Sequence, residues 1–315
     1  MAQEKKILIA YDGVHPIEMF IRDLKRAGLL EKAEAIVHTA ANVLLPAAAN
    51  FSDIPSPTQE LNGALSSMTL LEDELQKAKS IAERACVSLQ KAFPQWRISS
   101  ESSTIAPAWG IIAKAEKWKA DLVVVGTHEA LAITKKVLGS VAQKILVEAP
   151  CSVRVVHGTH EETESPARIV IAVDGSPDSE WAVTEAAQRI WKRGSAIHLM
   201  TIMDSTLANA VTASSTIAGR WLHKTDVHAR LWVDRMHQEF TRQLKRTDLA
   251  VFSLIKEGRP CDVLLHEAEE WGADTLLLGA RGVGKAERSL IGSVAKGAAA
   301  RSHCSVEVIR RPKDS

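Results

Sequence analysis

The sequence predicts a parallel, doubly wound α/β fold, laid down twice along one chain. Three observations carry this expectation. Short continuous apolar runs such as Ile169–Val173 alternate with helical patterns, as strands buried on both faces of a parallel sheet alternate with covering helices. Ala120-Asp-Leu-Val-Val-Val-Gly126 returns as Ala273-Asp-Thr-Leu-Leu-Leu-Gly279, a shift of 279 − 126 = 153, and the same shift relates Gly139-Ser140 to Gly292-Ser293 and Cys151 to Cys304. Near the repeat starts, Ile7–Gly13 matches Ile169–Gly175 with a shift of 174 − 12 = 162, so the first copy carries extra residues in its middle.

In the second copy, Ile169–Val173 ends at Asp174-Gly175, and Ser176-Pro177-Asp178 reads as a helix start. Serine can cap, proline suits the first helical position, and acidic residues favour the positive end of the helix dipole. That helix should reach Arg193, where Gly194 stops it. Ile197–Met203 is the next strand. A long helix over Ile217–Lys245 follows, with Trp221, Val227 or His228, Leu231, Trp232, Met236 and Phe240 at helical spacing. Then come a strand (Leu249–Ile255), a helix (Pro260–Trp271, with Val263, Leu264, Ala268 and Trp271 inward), a strand before Gly279, a helix (Ser293–Arg301) and a last strand (Ser305–Ile309). The first copy follows the same plan, with strands at 7–11, 35–39, 97–103, 122–125 and 153–156 and a second helix over Leu70–Phe93. Its excess length falls in Ala40–Leu65, rich in Ala, Asn, Pro and Ser, which reads as a loop with little regular structure.

A chain of 315 residues suits about two domains. We expect them at 1–157 and 168–312, with the polar, acidic, proline-containing segment 158–167 as linker. A formal net charge of +1 gives no reason to expect nucleic-acid or membrane binding. Four cysteines without CxxC pairs make no disulfide framework; Cys151 and Cys304 read as small buried residues. No apolar run approaches the roughly 20 residues of a membrane span, and Met1–Lys6 runs directly into a strand too short for a signal sequence, so none is expected. The expected location is cytoplasmic. His157 with His160, and His223, His228 and His237, lack the spacing of a zinc site and read as solvated or core side chains.

Chemistry concentrates near the C-terminus. An apolar strand leads into Gly279-Ala-Arg-Gly282, and after nine residues Gly292-Ser293 opens a helix. Strand, glycine loop and helix N-terminus together point backbone N–H groups at an anion, phosphate above all. In open α/β sheets, ligands bind outside the carboxyl ends of strands where the strand order reverses. Asp174, ending the first strand, and Gly279, ending the fourth, should therefore face one crevice. Arg281, Lys285 and Arg288 lie in the intervening loop and can neutralise phosphate charge.

These residues resemble those of the universal stress protein family, over nearly the whole chain and in both copies. Gly279–Ser293 reproduces that family's G-x2-G-x9-G-(S/T) signature, and Ile171-Ala-Val-Asp174-Gly175-Ser176 its strand–Asp start. The resemblance implies two Rossmann-like (adenine nucleotide alpha hydrolase-like) domains, each an open five-stranded parallel sheet with helices on both faces. It also implies an ATP site in the second copy, with Mg2+. Ala172 and Asp174 would lie beside the adenine and Ile202 would close the base pocket. Gly279, Gly282, Gly292, Ser293 and Val294 would hold ribose and phosphates.

The first copy departs from the pattern. Its template reads Gly126-Thr-His-Glu129, nine residues, Gly139-Ser140, so a glutamate replaces the second glycine. That substitution adds bulk and a like charge where phosphate would lie. His128 stands where Arg281 does, whereas Lys135 matches Arg288. Asp12 persists, which keeps adenosine or AMP open, but the expected occupancy is one ATP per chain. No catalytic set stands out: there is no G-x-S-x-G elbow and no Walker lysine. The reading is a nucleotide-dependent regulator with an unidentified protein partner. The alternatives are slow ATP hydrolysis or phosphotransfer, and a scaffold that binds a non-nucleotide ligand through the first copy. The apolar last strands need covering. In family dimers the equivalent strands pair between subunits, so the two copies are expected to pair within one chain, with a further chain–chain dimer left open.

Overall fold

A computed structural model describes residues 4–41, 57–127, 138–157, 165–203, 226–245, 249–282 and 291–312, with only the backbone described at 57–67 and 226–229. The first copy contains β1 (Lys5–Ala10), α1 (Ile17–Arg26), β2 (Ala33–Ala40), α2 (Pro57–Ala92), β3 (Arg97–Ser103), α3 (Pro107–Trp118), β4 (Leu122–Gly126), α4 (Ser140–Glu148) and β5 (Ser152–Val156). The second contains β6 (Arg168–Ala172), α5 (Pro177–Gln188), β7 (Ala196–Met203), α6 (Asp226–Leu244), β8 (Ala250–Glu257), α7 (Pro260–Trp271), β9 (Thr275–Gly279), α8 (Ser293–Arg301) and β10 (Ser305–Ile309).

Within each copy the strands are parallel, in the order β3-β2-β1-β4-β5 and β8-β7-β6-β9-β10. The strand order reverses beside β1 and beside β6, which opens a crevice between β1 and β4 and another between β6 and β9. β5 and β10 pair antiparallel, Arg154 opposite Glu307, and join everything into one ten-stranded sheet.

The two faces of that sheet differ. One carries a single apolar cluster, continuous across the junction, in which Ile111 of α3, Ile145 of α4, Leu264 of α7 and Ala298 of α8 cover Val153, Val306 and their neighbours. The other carries two separate clusters, under α1 and α2 in the first copy and under α5 and α6 in the second. Between them lies a buried ionic group. Arg154 donates to Asp23 through Nε and Nη2, at 2.6 and 2.8 Å, and to Glu307 at 3.1 Å; Arg189 also donates to Glu307. Burial alone would raise the Glu307 pKa, but Arg189 and Arg154 outweigh it and hold the carboxyl at about 2.

Several boundaries differ from the sequence expectation. Residues 57–65 belong to α2 rather than to a loop, while the rest of the expected insertion, from 42 to 56, lies outside the described residues. α5 ends at Gln188, not Arg193: Arg189 turns extended (φ −79°, ψ 156°) and gives its guanidinium to Glu307 and to the Ala27 carbonyl. In α6 the buried face is Val233, His237, Phe240 and Leu244, and Leu231, expected inward, is exposed. Trp221, His223 and the first part of the expected helix lie outside the described residues, as does 158–164 of the expected linker. Among the described residues, no helix is long and apolar enough to cross a membrane.

Candidate functional site

The second-copy crevice is built from two turns. β6 delivers Asp174, whose Oδ1 accepts the Ser176 N–H at 3.0 Å. Gly175 makes this turn with φ +78°, and a Cβ there would lie 2.3 Å from Trp232 Cη2, so the α6 indole packs straight onto the turn. Ser176 then caps α5, its Oγ accepting the Ser179 N–H at 3.2 Å. The same hydroxyl donates to the Arg281 carbonyl at 3.0 Å. Asp178 completes the clamp: its Oδ2 takes the Arg281 N–H at 3.1 Å and Nε at 3.0 Å, and its Oδ1 takes Nη2 at 3.2 Å. The Arg281 guanidinium, expected to face phosphate, is thus engaged by the first turn of α5.

The glycines of the loop have distinct roles. A Cβ on Gly279 would lie 2.7 Å from the backbone of Asp178 and Ser179, so this glycine lets α5 seat against β9. A Cβ on Gly282 would lie 2.5 Å from Asp174 Oδ2, which puts the loop backbone directly against the carboxylate. Gly292 donates its N–H to the Ala280 carbonyl at 2.7 Å and is the N-cap of α8, with no side-chain cap bond. Ser293, exposed, and Val294, half-buried, open that helix, where the first N–H groups have no acceptor within the helix. Ala172, Ile202 and Val294 belong to or pack against the same apolar cluster. Lys285 and Arg288 lie outside the described residues.

Behind the Asp174 turn runs a chain that the sequence reading missed. Thr201 Oγ donates to the Val173 carbonyl at 2.7 Å and meets His237 Nε2 at 2.7 Å, while His237 Nδ1 meets Ser253 Oγ. A hydroxyl has one proton; since Thr201 gives its own to Val173, His237 donates from Nε2. Burial pulls the imidazole pKa down to about 4, so the ring is neutral near pH 7 and Nδ1 accepts from Ser253 Oγ. The only sequence signal was a histidine at a core-facing helical position.

A model described as the universal stress protein family matches residues 5–157 and again 167–310. The chain belongs to the universal stress protein family. A universal stress protein from Thermus aquaticus is 31% identical over 155 residues, 48% of this chain and 98% of that one. One from Mycolicibacterium smegmatis is 27% identical over 192 residues, 61% of this chain and 62% of that one. The crystal structure of a universal stress protein from Archaeoglobus fulgidus covers 98% of this chain and 97% of its own, at 17% identity and a TM-score of 0.62, a likeness of fold.

In this universal stress protein the first copy repeats the backbone frame with other side chains. Asp12 Oδ1 accepts the Val14 N–H at 3.0 Å, and Gly13 has φ +79° with Ile81 behind it. Among the described residues, the start of α1 offers no counterpart to the Ser176 and Asp178 side chains of the clamp. Val14, exposed, replaces Ser176, and Pro16 replaces Asp178. Instead, His15 Nε2 donates to the Thr127 carbonyl at 2.6 Å, and the Tyr11 hydroxyl donates to the His15 carbonyl at 2.7 Å. Gly126 faces the tip of the Phe20 ring, Gly139 caps α4 and Ser140 is exposed. Glu129 lies outside the described residues.

Proposed function

We propose that the second copy of this universal stress protein, residues 168–312, binds ATP and that the protein acts as a nucleotide-dependent regulator. The observation that carries the reading is the contact of Gly282 with Asp174. The loop backbone comes so close that any side chain at 282 would strike Oδ2 at 2.5 Å, and this pair sits beside the bare N-terminus of α8. The donor set fits a nucleotide. Ser293 and the first N–H groups of α8 would take phosphate, Asp174 would accept from base or ribose, and Ala172 and Ile202 would pack on the adenine. Mg2+ would be carried on the phosphates: among the described residues, no group of three or more His, Cys, Asp or Glu could hold a metal ion. Bound ATP would supply charge at the mouth of α8, and this chain's residues would read it by holding the Arg281 loop against α5.

Residues 1–157 would serve as a companion domain that does not hold ATP. The four unpaired thiols suit the reducing cytoplasm. Calorimetric titration of nucleotide-stripped protein with Mg-ATP should give one site per chain. No heat, or two equivalent sites, overturns the proposal.

A further inference from the structure

Ion pairs Lys5–Glu185, Arg26–Asp274 and Arg154–Glu307 cross between the copies, and in each the cation belongs to the first copy and the carboxylate to the second. One of them is special by position. Arg154 and Glu307 are equivalent residues, 307 − 154 = 153, the shift that relates the two copies in this region. They are also directly opposite in the β5–β10 register. The pseudo-two-fold axis relating the copies therefore passes between them. The residue that meets its own counterpart is arginine in one copy and glutamate in the other.

Behind each stands an opposite charge from its own copy, Asp23 behind Arg154 and Arg189 behind Glu307. Across the junction the charges read minus, plus, minus, plus. Two first copies paired in the same way would read minus, plus, plus, minus, and two second copies plus, minus, minus, plus. The net charge of the cluster would be unchanged, but like charges would touch at the centre. That centre is dry: the two side chains are 0% and 2% exposed, and the Arg154 Nη1 bond to Glu307 would have no replacement. Like charges in contact without water are strongly unfavourable.

We infer that the junction is a self-rejecting surface: the outer edge of each copy fits the other copy and excludes its own kind. Positions away from the axis make the exclusion unequal. Equivalence places Asp23 at Glu185, Asp121 at Asp274, Ala167 at Lys5 and Gln188 at Arg26. Two first copies would still offer Asp23 to Lys5 and Asp121 to Arg26, so the central pair alone opposes them. Two second copies would set Glu185 against Ala167 and Asp274 against Gln188, and so lose the off-axis cations as well. The permitted association through this edge is then first copy with second copy, within one chain or by exchange between two. A buried polar residue plays a comparable register role in coiled coils.

The test is refolding of the full chain from denaturant at high concentration, with species resolved by sedimentation velocity. Replacing the cluster by apolar residues (Asp23→Leu, Arg154→Met, Arg189→Met and Glu307→Leu together) should raise multi-chain species at least fivefold over the unaltered protein. A companion series covers the case in which that variant does not fold. Arg154→Glu and Glu307→Arg each put like charges at the centre and should lose single-chain protein, and the two combined with Asp23→Arg and Arg189→Glu, which restores the alternation as plus, minus, plus, minus, should refold more of it than either alone. Apolar variants that refold as cleanly as the original, or a combined reversal no better than the single ones, overturn the inference.

Discussion

The turns that follow β1 and β6 are near copies in backbone. Each has an aspartate accepting an N–H two residues on, at 3.0 Å, and a glycine at φ +79° or +78°. The loops they face are held quite differently. In the second copy, Ser176 and Asp178 fasten Arg281 through four hydrogen bonds to the start of α5. In the first, valine and proline occupy those positions, and a histidine reaches across to Thr127 instead. The comparison teaches that this frame survives the loss of its polar clamp, because the frame rests on buried strands and the clamp only on the residues after them.

The sharpest way to break the comparison is to exchange the second glycines. Gly282→Glu should weaken ATP binding at least 100-fold, about 3 kcal/mol, by calorimetry. Glu129→Gly should create no second site, because the first copy has neither Ser176 nor Asp178 to order the loop. A second site in Glu129→Gly would show that the glycine alone decides.

The first glycines come next. At Gly279 an added methyl meets backbone at 2.7 Å, whereas at Gly126 it meets the end of the Phe20 side chain at 3.1 Å. Gly279→Ala should cost about 2–3 kcal/mol by urea unfolding and Gly126→Ala under about 1 kcal/mol, since a ring can shift where a helix start cannot. Equal costs would mean the two packings are alike.

His237 offers a comparison by pH. Its folded pKa of about 4 lies below the ordinary 6.5, so the unfolded chain binds the extra proton between those values. The stability tied to the neutral ring is complete above pH 6.5 and is lost as pH falls toward 4, on the order of 3 kcal/mol. His237→Gln, whose amide can still donate to Thr201, should flatten that stretch of the stability profile; a slope that persists would place the proton elsewhere. Last, Arg281→Met leaves the buried Asp178 carboxylate without a guanidinium half-exposed in solvent, and should cost about 1 kcal/mol in stability and a few-fold in ATP affinity.

Strand runs such as Ile169–Val173 were legible because burial on both faces leaves an unbroken apolar string, and Ser176-Pro177 announced its helix through local capping chemistry. The glycines at 279, 282 and 292 were legible as a spacing, though not as three different jobs. What the sequence hid depends on distant partners. Arg189 leaves its helix for Glu307, a residue in the last strand; Asp178 looked like a dipole-favouring acid and proved to be the anchor of Arg281. His237 lies inward and Leu231 outward because hydroxyls on β7 and β8 offer the imidazole hydrogen bonds, which an apolar period cannot foresee.

The antiparallel seam between β5 and β10 has a geometric consequence. Strands of the two copies run in opposite directions, so the carboxyl ends of β1 and β4 emerge at one end of the sheet and those of β6 and β9 at the other. A visitor seated over one mouth leaves its twin uncovered. The two crevices thus open toward opposite poles, with the width of the sheet between them.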